Sequence, residues 1–554
     1  MKLRALEPLG DPVFRRIWSA SLMSNLAQLV LGVAAAWEMT RLTNSPQMVA
    51  LVQSAMMLPL MFVAVPAGAF ADMFDRRKIA ISGLCFSSAA AAVLTALLLT
   101  GHESPWILLL FCFLIGAGVA TYGPSWQASI PEQVPPEHLP AAVALGSVSY
   151  NIARSFGPAL GGLLVVGFGA TVVFGITAVL YLPLAFAFLA WRRRHVPPRL
   201  SPERLDRAII SGVRYALHAG PVRAVMFRCA SFGVATAGLA ALTPLVAKDL
   251  LHGTATTYGV LLGAGGVGAV MGAVFVSRVV EKMTSDRALA AAMTVTGLMI
   301  IAVGFSRHIV LTCLALCASG AANMIAISLL NVTMQVSVPR WVTARALAWF
   351  TSTLTGGIAF GSWVWGNTAA SLGVSEAMAL SGAAVLVIPL LGKLAPLPTD
   401  STSNLEPARI ANEPNVALAL TGRSGPITIE IDYRVDPANA RSFYDAMLDL
   451  QRARKRNGAF GWVLSRDIGD PELWTEKFEF PTWQDYLRHR ERFTEADREL
   501  QDLTQSFSTL SGDSPARIRR KLERPFGSVR WKADTPDPEA TNPAEPVRPR
   551  PTTG

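Results

Sequence analysis

The stretch ISGLCFSSAAAAVLTALLLT, residues 81–100, contains no charged side chain. A helix of about 20 residues is about 30 Å long, which matches the hydrocarbon core of a lipid bilayer. Similar apolar stretches recur between residues 17 and 397, about twelve in all, and short charged or Gly/Pro-containing breaks separate them. The sequence therefore predicts an all-α polytopic membrane protein with twelve transmembrane helices, and the lipid bilayer is its first expected partner.

The composition of the whole chain agrees with this prediction. Of the 554 residues, 51% are hydrophobic and 16% are charged, whereas about 25% charged residues are usual in soluble proteins. The net charge is +10, but the basic residues lie beside the apolar stretches, where they set membrane topology, so no nucleic acid is expected as a partner. The sequence lacks a G-x-x-x-x-G-K-S/T phosphate loop, so ATP is not expected to drive the protein, and no cofactor or metal site is predicted.

The distribution of lysine and arginine predicts the orientation of the helices. One set of connections carries most of them, including Arg76 and the run 192–194, whereas the other set carries only Arg41, Lys248 and Arg307. Because basic residues stay on the cytoplasmic side, both termini are predicted to be cytoplasmic in a multi-pass protein of the bacterial inner (plasma) membrane. The predicted spans are 17–40, 47–71, 79–100, 106–128, 141–166, 170–191, 224–247, 257–280, 288–306, 309–335, 343–370 and 375–397.

The longest internal connection divides these spans into two groups of six. Residues 1–191 are predicted to form an N-terminal six-helix bundle, and residues 224–397 a C-terminal one. Residues 192–223 form a cytoplasmic linker with an amphipathic helix, which Ser201 and Pro202 are expected to begin. Two six-helix bundles joined by a basic linker are the layout of two-fold transporter folds.

The sharpest motif is GAFADMFDRRK, residues 68–78, between the second and third spans. Gly68 permits close approach of a neighbouring helix. Asp72 is expected to meet an arginine or a helix N-terminus, and Arg76 and Arg77 to hold partners on the same side. Such a group of charges would be joined in one state of a transporter and separated in another. An ordinary positive-inside loop would explain the arginines alone.

A second motif, NIARSFGPALGG, occupies residues 151–162 in the fifth span. Gly157, Pro158 and Gly161 allow this helix to bend and to pack closely, so a directional role and plain packing both remain open. Arg154 lies near the middle of the span, where a charge is costly and normally faces a cavity or a partner. We therefore place Arg154, with Asn151, in a cavity or proton-coupling role, against the alternative of a structural ion pair.

The first motif resembles the signature of the major facilitator superfamily between its second and third helices: a glycine, an aspartate four positions on, and a basic pair. Met73 and Asp75 depart from that pattern, at positions where a basic residue and a glycine are common. The second motif is similar to the glycine–proline motif of exporters in this superfamily, which is associated with antiport. Over residues 10–400 the chain resembles the branch of siderophore exporters and transmembrane secretion effectors, which implies efflux of a small molecule driven by inward proton flow.

Other polar residues lie at membrane depth. Gln28 and Asn323 are candidates for lining an amphipathic cavity, although each also fits a hydrogen bond between helices. Glu38 is the acidic residue inside the first span, near its outer end. It is either a protonation site or an interfacial partner of Arg41, and the sequence does not decide between them.

After residue 397 the sequence changes character. Residues 398–425 form a Pro/Ser/Asn-rich linker, residues 426–515 a small cytoplasmic α+β ferredoxin-like domain, and residues 516–554 a disordered basic and Pro-rich tail. The domain is expected to begin β-α-β-β-α and resembles antibiotic-biosynthesis-monooxygenase-like domains, with Trp483, Tyr486 and His489 on its second helix. The resemblance implies pairing with a second copy of the chain. We expect His489 to be a packing or solvated residue and assign no catalytic residue.

Two hypotheses of different classes follow. The first is a secondary active transporter, not an enzyme, that exports a siderophore, drug or secondary metabolite by alternating access, with protons as the counter-ion. The second is a membrane-tethered carrier whose C-terminal domain has monooxygenase-like or ligand-binding activity. An uptake carrier is a further alternative, because the direction of transport comes from the resemblance alone.

Overall fold

The computed structural model describes residues 4–73, 75–191, 214–215, 218–339, 342–391, 408, 416–418, 420–509 and 516–523. Most of the predicted amphipathic helix of the linker and most of the linker at 398–425 lie outside these residues. In the described part of the chain, nine helices are long and apolar enough to cross a membrane. The prediction of a multi-pass helical membrane protein is therefore confirmed, and the exact number of spans stays a prediction.

The helices follow the predicted spans closely. The element Leu139–Ala190 is broken at Gly169, whose φ of 79° is a left-handed conformation that glycine adopts readily, so we treat it as helix α5 before Gly169 and helix α6 after it. The other helices are α1 (Pro12–Leu42), α2 (Pro46–Met73), α3 (Arg76–Leu99), α4 (Pro105–Ser129), α7 (Gly220–Leu245), α8 (Ala255–Lys282), α9 (Ser285–Phe305), α10 (Ile309–Val336), α11 (Thr343–Leu372) and α12 (Val374–Leu391).

Close backbone packing holds the helices together. A Cβ on Gly268 of α8 would overlap the carbonyl oxygen of Cys317 on α10, and a Cβ on Gly272 would overlap that of Ala321. Lipid tails are as apolar as leucine, so helices in a bilayer associate through such tight van der Waals contacts and not through hydrophobic burial. The glycines of α8 are therefore packing residues.

A separate antiparallel sheet follows the membrane helices. Its strands are β1 (Ile427–Arg434), β2 (Phe460–Arg466), β3 (Leu473–Phe480) and β4 (Arg517–Leu522), in the order β2-β3-β1-β4. Helices α13 (Ala440–Arg456), α14 (Trp483–Glu491) and α15 (Glu495–Ser506) complete the unit. Ile427, Ile429, Ile431 and Tyr433 alternate along β1 and are buried, as the period of two predicts.

The prediction that disorder begins at residue 516 was wrong for 516–523. Strand β4, with the sequence RIRRKL, pairs with β1 from Arg517 opposite Asp432 to Leu522 opposite Ile427. Arg519 Nη2 lies 2.7 Å from a carboxylate oxygen of Asp432, and a second such pair joins β4 to β1 nearby. The strand is held by charges complementary to β1, so its own sequence shows no apolar alternation.

We predict that deleting residues 516–554 weakens the sheet and that deleting 524–554 does not. The first deletion removes β4 and leaves one edge of β1 without its backbone partners, which we expect to cost at least about 2 kcal/mol, at about 1 kcal/mol for each lost hydrogen bond. Hydrogen exchange of the β1 amides in the otherwise intact protein measures this. Equal protection of β1 in both truncations would contradict the role of β4.

Candidate functional site

The first half of the membrane part (α1–α6) meets the second half (α7–α12) near the end of the bundle where α1 ends and α2 begins. We call this the closed end. The rings of Trp37 on α1 and Tyr258 on α8 stack there, with centroids 6.3 Å apart and an interplanar angle of 20°. Lys248, in the turn Val246–Leu250 after α7, donates from Nζ to the carbonyl oxygen of Thr40 at 2.6 Å.

Helices α2 and α11 form the second contact between the halves. Ser54 Oγ donates to the carbonyl oxygen of Ala359 at 2.7 Å, and a Cβ on Gly366 would lie 2.6 Å from the Cβ of Ala50. Residues 50 and 54 lie near the beginning of α2, and residues 359 and 366 lie in the second half of α11. The hydrogen bonds and the ring stacking that join described residues of the two halves all lie toward the closed end.

Helices α5 and α8 form the third contact, through the glycines of the second motif. A Cβ on Gly162 would lie 2.7 Å from the Cα of Gly259 on α8. On the neighbouring face of α5, a Cβ on Gly157 or Gly161 would lie 3.0 or 3.1 Å from side chains of α1. The motif therefore lets α5 pack against one helix of its own half and against one helix of the other half.

Arg154 lies one turn from this contact, toward the opposite end of the bundle. Positions four apart share a face of a helix, so Arg154, Pro158 and Gly162 form one stripe, and Pro158 and Gly162 touch α8 at Gly259. The Arg154 side chain is partly buried. Among the residues that the structure describes, no hydrogen bond or ion pair involves it. The side chain of Asn151 lies outside the described part of the chain.

A polar seam that the sequence reasoning missed joins α1 to α5 beyond Arg154. Trp18 Nε1 donates to the carbonyl oxygen of Leu145 at 2.7 Å, and Ser149 Oγ lies 3.3 Å from Ser21 Oγ and 3.2 Å from Asn25 Nδ2. Ser149 lies eight residues before Gly157, on the same face of α5. The spacing of small residues by four along this face is the sequence pattern that could have predicted the seam. The seam stabilises the first half and does not cross to the second.

The loop motif is held within the first half. Asp75 caps α3 by accepting from the Arg77 backbone N–H at 3.0 Å. Arg76 Nη1 donates to the carbonyl oxygen of Ala128 at 2.6 Å and lies 3.1 Å from Glu132 Oε1, just past the end of α4. Arg77 Nη2 donates to the carbonyl oxygen of Leu189 at the end of α6 at 2.5 Å. Both arginines therefore neutralise helix C-termini.

The described residues do not show what Gly68 and Asp72 contact. Both residues lie in the last turns of α2, which ends at Met73, but their side chains lie outside the described part of the chain. The proposed joining of Asp72 to a neighbouring helix therefore stays a prediction.

The remaining candidates are dispersed. Glu38 is buried and its Oε1 lies 2.6 Å from Arg41 Nη2, which also lies 2.7 Å from Glu103 Oε2, so the interfacial ion pair is observed. Gln28 is partly buried on α1. Asn323 lies on α10, which packs mainly on α8 and α9, and its buried Oδ1 has no hydrogen-bond partner within the described residues. The structure does not bring these three residues together.

The C-terminal unit contains a buried ionic network. Glu476 is fully buried on β3 and accepts hydrogen bonds from Tyr433 at 3.2 Å and Trp462 at 2.9 Å, while Arg454 of α13 lies 3.3 Å away. Three donors occupy the two oxygens of this carboxylate, and Arg454 also lies over the ring of Phe478 at 4.8 Å. The network fixes α13 to the sheet.

His489 is buried beside this network. Its ring lies 4.8 Å from the ring of Phe480, and desolvation followed by the nearby charge of Arg454 lowers its pKa to about 3. The imidazole is therefore neutral at physiological pH and packs among aromatic rings. Within the described residues no group of three or more His, Cys, Asp or Glu side chains is placed to hold a metal ion.

We predict that Gly162→Ala destabilises the membrane part, whereas Gly167→Ala does not. The added Cβ at 162 would lie 2.7 Å from backbone of α8, and such overpacking costs about 1–3 kcal/mol. At 167 a Cβ meets nothing within 4 Å, and alanine favours the helix by about 0.5–1 kcal/mol. Thermal unfolding of the purified protein in detergent measures both. A melting temperature for Gly162→Ala that is not below that of Gly167→Ala would refute the contact.

We predict that the C-terminal unit loses stability as pH falls from about 6.5 toward 3. In that window an unfolded histidine binds a proton and folded His489 does not, so the free energy of unfolding falls by up to about 1.4 kcal/mol per pH unit. His489→Gln should remove this part of the slope, and exposed His218→Gln should not. Hydrogen exchange of α14 in the full chain, corrected for intrinsic rates, measures it, and parallel slopes for His489→Gln and wild type would contradict the assignment.

Comparison with known proteins matches the chain to one family. The family model described as "Transmembrane secretion effector" matches residues 3–526. The multidrug efflux pump Tap of Mycobacterium tuberculosis is 29% identical over 205 residues, 35% of this chain and 49% of Tap. The staphyloferrin A transporter of Staphylococcus aureus is 25% identical over 177 residues, 30% of this chain and 45% of that protein. The chain thus matches about half of the length of these relatives.

The fold of the membrane part also has solved counterparts. A bacterial homolog of the human lysosomal transporter Spinster, in an inward-facing and occupied conformation, superposes with a TM-score of 0.57 at 13% identity, over 70% of this chain and 97% of that structure. At this identity the likeness concerns the fold alone. The family match over nearly the whole chain identifies the family: this chain belongs to the transmembrane secretion effector family of the major facilitator superfamily.

Proposed function

We propose that this protein is a secondary active exporter of a small molecule, such as a siderophore, drug or secondary metabolite, working by alternating access and proton antiport. The observation that carries the proposal is that the hydrogen bonds and ring stacking joining described residues of the two halves lie toward one end of the bundle, with Arg154 on the other side of them. Alternating access requires two halves that separate at one end while they meet at the other. The names of the relatives, a multidrug efflux pump and a siderophore transporter, favour this substrate class.

The proposal includes twelve spans and cytoplasmic termini. The break at Gly169 and helices α11 and α12 supply the spans beyond the nine that length and hydropathy select. With the basic loops in the cytoplasm, the closed end is periplasmic and the protein is inward-facing. The linker and the C-terminal unit then lie on the same side. In support, Arg214 of the linker donates to the carbonyl oxygen of Gly458 at 3.0 Å, and buried Tyr215 lies below Arg456.

We also propose a ferredoxin-like fold for the C-terminal unit, now extended from 515 to 523. The succession β-α-β-β-α-α-β and the antiparallel order β2-β3-β1-β4 support it. The domain serves assembly or regulation in this proposal, since Arg454 and Glu476 bind each other and fix α13 to the sheet. A relationship to monooxygenase-like domains and pairing with a second chain stay predictions.

In the proposed cycle, the conformational switch consists of the C-terminal ends of α2, α4 and α6 and the beginning of α3. Arg76 and Arg77 bind the C-terminal ends of α4 and α6, so the beginning of α3 moves with them as one body. Asp72, one residue before the end of α2, would join this body to the second half in the outward-facing state. Glu38 is bound to Arg41 of its own helix, so we assign it a structural role in this cycle.

We predict that Asp72→Asn and Arg154→Ala each lower export at least tenfold without lowering the amount of protein in the membrane. The first removes the charge of the switch and the second the charge beside the contact between the halves. Among fluorescein, rhodamine 123 and ethidium, the dye that wild-type protein accumulates fastest in everted vesicles under an imposed proton gradient measures export. Asp249→Asn, an exposed carboxylate at the closed end, is the matched control. Normal export and unchanged proton coupling in both variants would refute the mechanism.

A further inference from the structure

The stripe of α5 that contacts α8 continues to a basic side chain. Gly162 touches Gly259 at the closed end, and one turn on the Pro158 carbonyl oxygen would lie 3.3 Å from a Cβ on Gly259. Arg154 is the next position on the same stripe, one turn nearer the opposite end. A molecule that moves along this face of α5 toward the closed end would therefore meet Arg154 before it reaches the contact of Pro158 with Gly259.

No carboxylate of the neighbouring helices lies at the depth of Arg154. In α1, α2, α5, α7, α8 and α11, the sequence contains three acidic residues, Glu38, Asp72 and Glu281, and each lies within about one turn of its helix end. Glu38 is bound to Arg41. Arg154 lies near the middle of α5, about 20 Å from either end of that helix. The positive charge at this depth is therefore not compensated by an acid of these helices.

The polar groups near Arg154 do not offset its positive charge. Ser149, one turn away, is bound to Ser21 and Asn25 of α1. A guanidinium at membrane depth persists only when it faces water or a partner, and Arg154 has no hydrogen bond or ion pair with another described residue. In surroundings of low dielectric, such a charge repels a cation strongly and binds a carboxylate or phenolate through short, two-pronged hydrogen bonds.

We infer that the transported molecule is an organic anion and that Arg154 binds its carboxylate or phenolate group. The inference rests on the proposed function and adds to it the charge of the substrate. It also separates two roles for Arg154. A guanidinium that only packs or gates would be equally important for anions and cations, whereas a guanidinium that binds the anion is needed for anions alone.

The test uses two xanthene dyes of similar size and opposite charge, fluorescein and rhodamine 123, with the full-length protein. We expect everted vesicles with wild-type protein to accumulate fluorescein at least tenfold faster than rhodamine 123. Arg154→Gln should lower fluorescein transport at least tenfold, Arg154→Lys should keep part of it, and Arg154→Glu should reverse the preference. Arg287→Gln, which removes an exposed arginine at the beginning of α9, should leave the ratio of the two rates unchanged.

The remaining outcomes decide between the charge inference and the exporter proposal. If wild-type protein moves rhodamine 123 faster, or if Arg154→Gln lowers both rates equally, the charge inference is overturned and the exporter proposal stands. If neither dye moves, fluorescein binding to the purified protein, measured by fluorescence anisotropy, decides the inference. Binding that weakens at least tenfold in Arg154→Gln would support the inference while the export proposal fails, and unchanged or absent binding would overturn it.

Discussion

The backbone contact of α5 with α8 is the constraint on which the membrane part depends. Gly162 and Gly259 bring the two helices so close that a single Cβ would lie 2.7 Å from the opposing Cα. In a bilayer, such close contact is a main source of attraction between helices. It unites the two halves at one end and leaves Arg154 immediately beyond the contact. The geometry of the candidate site thus follows from two glycines and not from a group of charges.

Charged residues have different roles at the two ends of the bundle. At the closed end, Glu38, Arg41 and Glu103 form an ion pair network, and Lys248 reaches a backbone carbonyl of the other half. At the opposite end, Arg76 and Arg77 bind the C-termini of helices in their own half. The ion pairs of Arg41 and the contacts of Arg76 and Arg77 therefore all stabilise the first half, whereas Lys248 joins the two halves.

The C-terminal unit shows where local patterns are insufficient. The alternation of β1 and the caps of its helices were readable, because they depend on residues close together in the sequence. Strand β4 was assigned to a disordered tail, because its sequence RIRRKL lacks apolar alternation and its partners, the carboxylates of β1, lie more than 80 residues away. His489 was expected to pack or to be solvated, and its burial among aromatic rings decides for packing.

The sequence by itself determined the membrane class of the protein, the approximate helices and the two motifs, because hydropathy, helical period and turn residues act over a few neighbouring positions. It also pointed to Arg154, since a charge in an apolar span is visible without a structure. Only the tertiary structure decided that Gly157 and Gly161 face α1 while Gly162 faces α8, that Arg76 binds the end of α4, and that Arg41 also binds Glu103. These facts depend on which helices become neighbours, and distances between helices are set by packing across the whole bundle.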